Sequence, residues 1–289
     1  MPAENMNVMT SLQTKKPSTE TVFRTFKYVI YCLLAVNVFL FFREDFAASA
    51  ATFGDSVSWR NVVEAYSATI DTFAWVILLL LFELETAIIS DEKLRGNVKW
   101  VLLAIRSICY FFITYAFYGY CVKYGLVSNL LPFSVADVCS LVGSDYSYVD
   151  DLDEYLAITA QACTAMQGQE LFQISGTSII GTAQATGAAI NLAVVDIINA
   201  GDWLIIVVLL EVEVYLQIKG KLTARMLFAG KYIKGFFYLI LFAAAAYWGV
   251  KGDFLDFWDA FLWLVAFIFI EMNVFNWHEE TEDAALKDE

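Results

Sequence analysis

A carboxylate at the end of an apolar run is costly in free energy unless something answers its charge, and this chain places five there. Trp75 is followed by seven apolar residues and then Glu83, Leu84 and Glu85. The spacing returns as Trp203, seven apolar residues, Glu211, Val212 and Glu213. It returns again as Trp263, seven apolar residues, Glu271, Met272 and Asn273, with an amide where the second carboxylate stood. Asp71, Asn199 and Asp259 stand four residues before the three tryptophans. A second pattern supplies cations: Lys27, Arg106 and Lys234 each precede a tyrosine by four, at Tyr31, Tyr110 and Tyr238. In lipid, such groups either bridge helices or mark the path of an ion or proton.

Other chemistry finds little footing. The single histidine, His278, lies past the last apolar run, so neither a histidine metal cluster nor a Ser-His-Asp arrangement can be assembled. No phosphate-binding glycine motif and no cysteine pair with zinc-ligand spacing occurs. The segment Asp150, Asp151, Asp153, Glu154 lacks the spacing and the glycine of a calcium loop. No enzyme, metal or cofactor is expected.

The elements that carry these residues are apolar helices. Hydrophobic residues make up 59% of the 289, aromatic residues 16%, and only three prolines occur; mean hydropathy is +0.59. Apolar stretches of spanning character fall near 26–42, 72–90, 99–122, 203–218, 232–250 and 257–275. A seventh arises if 175–200 also crosses. Residues 75–123 overlay 203–251 without a gap, and 23 residues separate both Glu83 from Arg106 and Glu211 from Lys234. The third copy is split, its basic helix near the N-terminus and its acidic helix near the C-terminus. The expected fold is an all-α membrane protein. Six transmembrane helices form three pseudo-threefold hairpins, with an extracytoplasmic helical extension.

Charge sets the orientation. Lys15, Lys16, Arg24 and Lys27 flank the first run, and the tight turns near 91–99 and 219–231 hold half of the remaining basic residues. Both termini therefore belong in the cytoplasm of a cell (inner or plasma) membrane. Arg43, Glu44 and Asp45 separate the first apolar run from Ala48-Ser49-Ala50, which argues against signal cleavage there. A net charge of −14 leaves nucleic acid without a binding face. The partners expected are the bilayer itself and a protein partner or second copy.

The order along the chain is then a cytoplasmic tail (1–22), three spans (23–124), an extracytoplasmic loop and helical extension (125–200), three spans (201–277) and an acidic tail (278–289). A helix is expected from Ser58 to Ser90 without a break, and Asp150–Glu154 reads as the acidic start of another. Cys139 and Cys163 share the outer loop and can pair in an oxidising compartment. The small residues of 174–200 suit close helix packing or a re-entrant segment. Glu83, Glu85, Glu211, Glu213 and Glu271 with Asn273 form the candidate charge ring or path, and Lys27, Arg106 and Lys234 are its partners. Trp75, Trp203 and Trp263 are the repeat anchors. Glu83 and Glu211 are expected to bridge, and Glu85 and Glu213 to face the path.

Overall fold

A computed structural model describes residues 19–54, 57–59, 61–85, 96–219, 221–251 and 253–269. Four of its helices are long and apolar enough to cross a membrane, and the chain is membrane-embedded. These are α1 (Thr19–Phe53), α4 (Asn97–Ser128), α6 (Ala183–Ile218) and α7 (Ala224–Lys251). At about 1.5 Å per residue, the 35 residues of α1 reach roughly 52 Å, well beyond a hydrocarbon core of about 30 Å. Shorter apolar helices are α3 (Ser67–Glu83) and α8 (254–269).

The expected helix from Ser58 to Ser90 is broken. A single turn, α2 (Val62–Ala65), is set off from α3 by Tyr66 at φ −131°, ψ 32°. Packing overrides local preference here. A β-carbon at Gly119 of α4 would lie 2.6 Å from the Val63 carbonyl oxygen and 3.0 Å from Ser67, so the bare glycine is what lets α2 seat against α4. Tyr66 stacks on Phe42 of α1 at 5.8 Å, which anchors the corner.

The larger correction lies between α4 and α6. Residues 130–182, expected as a loop leading into the helical extension, form a five-stranded sheet. Its strands are β1 (Leu130–Phe133), β2 (Ser147–Val149), β3 (Tyr155–Ala157), β4 (Leu171–Ile174) and β5 (Ile179–Thr182), with the short helix α5 (Ala160–Met166) between β3 and β4. The spatial order is β1-β4-β5-β2-β3. All neighbours are antiparallel except β2 and β5, where Ser147 pairs with Ile179. Asp150 to Glu154 is the β2–β3 turn rather than a helix start, closed by Asp150 and Asp151 N–H groups donating to the Glu154 carbonyl. The sheet buries Val138, Ile158, Met166, Leu171 and Ile180 in a core of its own. Cys139 and Cys163 are joined by a disulfide within it. Only from Ala183 does the extension become helical, and it continues into α6 unbroken.

Two apolar clusters hold the helices. Leu34, Leu79, Ile206, Leu241, Leu262 and Phe267 pack around the tryptophans in the middle. Val127, Val149, Ile174, Leu192 and Trp248 join the sheet to the tops of α4, α6 and α7.

Candidate functional site

Two polar layers lie on either side of the central apolar cluster. In the layer near the chain turns, Lys27 Nζ of α1 meets Glu83 Oε1 of α3 at 2.6 Å, and both side chains are more than nine-tenths buried. Tyr28 and Tyr31 donate their hydroxyls to the same carboxylate at 3.0 and 3.4 Å. Arg106 of α4 pairs with Glu85, and Lys234 of α7 pairs with Glu213 of α6 at 3.1 Å. Glu211 accepts from the Tyr110 hydroxyl at 2.6 Å.

All three candidate cations thus face glutamates. The division of labour differs from the expected one, because Glu85 and Glu213 are the carboxylates held by Arg106 and Lys234, while Glu211 takes a tyrosine. Geometry explains this: residues two apart on a helix point about 200° from each other. One of each pair therefore meets its own hairpin's basic helix and the other the next helix round. Glu271 and Asn273 lie outside the described residues, as do the tails and most of the first turn.

The other layer lies about one helical turn to the opposite side of the tryptophans and was only partly legible beforehand. A cavity with about 50 Å³ open to water sits there, room for about three waters at roughly 10–15 Å³ each. Six carboxylates line it: Glu44 from α1, Asp71 from α3, Asp153 from the β2–β3 turn, Asp196 from α6, and Asp256 and Asp259 from α8. Lys123 of α4 is the one basic residue in its lining, and its Nζ meets Asp153 at 2.9 Å. Asn37 Nδ2 donates to Asp259 Oδ1 at 2.7 Å, and the Tyr120 hydroxyl approaches Asp71 Oδ2 at 3.5 Å. Asn199 also lines the cavity, with its buried Oδ1 lacking a partner.

Asp71, Asn199 and Asp259 stood out in the sequence through their spacing from the tryptophans. Asp196 and Asp256 did not, although each sits three residues earlier on the same helix face. Glu44 and Asp153 carried no periodic signal, since one lies at an outer helix turn and the other in a hairpin turn. Among the described residues, no three His, Cys, Asp or Glu side chains converge as metal ligands. The carboxylates are spread along the cavity rather than gathered on one point. At its outer rim, burial raises the carboxyl of Asp151, which the Leu152 N–H partly offsets. Burial likewise raises the Tyr155 phenol.

Between the layers the repeat tryptophans meet. Ring centroids of Trp75, Trp203 and Trp263 are 6.0, 6.2 and 6.5 Å apart pairwise. Comparison with protein-family models, curated proteins and solved structures found no match for this chain.

Proposed function

We propose that the protein passes protons or a small monovalent cation across a membrane, through the acidic cavity and on toward the glutamate layer. One observation carries this reading: six carboxylates share a cavity roomy enough for water with one lysine. Unpaired charges cost several kcal/mol each inside a bundle, so such a cavity calls for mobile positive charge. The spread of the carboxylates favours passage over tight chelation. No catalytic role is assigned to any residue.

The architecture that goes with this reading is three hairpins about a pseudo-threefold axis. α3 and α8 complete six spans, in an inner or plasma membrane with both termini cytoplasmic. The matched spacing of the repeats and the mutual contact of their tryptophans support it. A second reading, an accessory subunit that docks a partner protein outside the membrane, draws on the disulfide-bonded sheet with its own core.

Reconstitution in vesicles with a trapped pH dye, under imposed proton, Na⁺ and K⁺ gradients, separates the two. Transport expects flux in the wild type and at least a tenfold loss in the double variant Asp71→Asn/Asp259→Asn. A silent wild type under every gradient removes the transport reading and leaves the accessory one. Labelling of Asn5→Cys by an impermeant reagent tests the orientation, and strong labelling from outside overturns it.

A further inference from the structure

We infer that Trp75, Trp203 and Trp263 are the gate of this route and that the structure holds it shut; the inference rests on the ion-path reading above. The three indoles come from three different helices, and each touches both of the others. Trp203 and Trp263 line the acidic cavity on the side facing the glutamates, and both are more than nine-tenths buried. Immediately beyond them the packing is dry and apolar: Leu34, Leu79, Ile206 and Leu241 are each 3% exposed or less. Glu83 lies eight residues past Trp75, so this layer is about 12 Å deep at roughly 1.5 Å per residue. A dewetted constriction of that depth stops an ion because nothing in it replaces the hydration shell.

The same geometry names what steadies the gate. Asp71 and Asp259 sit one turn above Trp75 and Trp263, where the Tyr120 hydroxyl approaches Asp71 at 3.5 Å and Asn37 Nδ2 donates to Asp259 at 2.7 Å. Asn199 holds the equivalent place above Trp203, but its Oδ1 has no partner. The Trp203 ring lies instead against Phe267, at 4.5 Å. Two leaves of the gate therefore stand beneath carboxylates that line the path, and Trp203 is the leaf beneath an amide.

The test places a reporter beyond the gate. Leu79→Cys, one turn past Trp75, is made in a chain carrying Cys32→Ala, Cys109→Ala and Cys121→Ala. A small impermeant methanethiosulfonate is added from the face that bears the sheet. A gate expects slow modification with all three tryptophans present and at least tenfold faster modification with Trp203→Ala, together with increased flux. Trp203→Phe, which keeps a ring in place, should stay slow. Ala68→Cys lines the cavity before the gate and should react equally in every background, which establishes that each variant folds. Unchanged Leu79→Cys reactivity in Trp203→Ala overturns the gate while leaving transport standing if the wild type conducts. Faster labelling with no flux in either protein overturns the transport reading and the gate with it.

Discussion

The Tyr110 hydroxyl of α4 donates to Glu211 of α6 at 2.6 Å, across 101 residues of chain. The corresponding tyrosine of α1, Tyr31, reaches Glu83 of α3 at 3.4 Å. In each instance the first glutamate of the pair takes a hydroxyl from a helix other than its hairpin partner. The second glutamate, Glu85 or Glu213, keeps its bond within its own hairpin. Bonds inside hairpins alternate with bonds between them.

Tyr110→Phe should therefore loosen the contact between α4 and α6 by about 0.6–1.7 kcal/mol, the range for hydrogen bonds between membrane helices. Glu211→Leu, which removes the acceptor, should cost a similar amount, and the two should not add. A double-mutant cycle on unfolding in detergent mixtures measures this. Additive losses would show that the bond contributes nothing.

Lys27 and Glu83 are the most buried ion pair among those described. Breaking it singly, with Glu83→Gln, should destabilise the protein by about 3–5 kcal/mol, because the lysine is left buried and uncompensated. The double change Lys27→Met/Glu83→Gln should recover most of that loss. Melting temperatures of the two variants decide the matter, and a double variant no better than the single one would count against it.

Helix packing at Gly119 makes a third expectation. Gly119→Ala places a methyl group against the Val63 carbonyl and should cost about 1–3 kcal/mol through overpacking. Gly125→Ala, on the same helix with open space at its β-carbon position, should be tolerated. Thermal unfolding of the pair gives the comparison, and equal stability would remove the close approach as an explanation for the break at Tyr66.

The thiol count is a direct check on the sheet. Denatured without reductant, the protein should expose the three free thiols of Cys32, Cys109 and Cys121 to maleimide. After reduction, Cys139 and Cys163 should add two more. Five labels without reductant would mean the bridge does not form.

The apolar helices were legible in the sequence because each leaves a long signal, a run of about 20 residues. The three cations stood out by their spacing, but which glutamate each takes did not: Arg106 and Lys234 hold Glu85 and Glu213 rather than Glu83 and Glu211. The sheet was not legible. Its strands have three or four residues, too few for an alternating pattern to stand out, and the β1–β4 and β2–β5 pairings follow from contacts no window contains. One local cue existed, since Ser175-Gly176 lies between Leu171–Ile174 and Ile179–Thr182, and Gly176 takes φ +81° in the turn. The acidic cavity was hidden for another reason: its carboxylates come from four helices and a hairpin turn, and only folding brings them together.

Strand β5 ends at Thr182 and helix α6 begins at Ala183 with no residue between them. The absence of slack makes strand and helix a single stiff lever. A tilt of α6 among its neighbours must swing the sheet, and with it Asp153, the residue that clasps Lys123 at the mouth of the cavity. The sheet is thus geared to the cavity, and a ligand that seized it would have its hand on the helix.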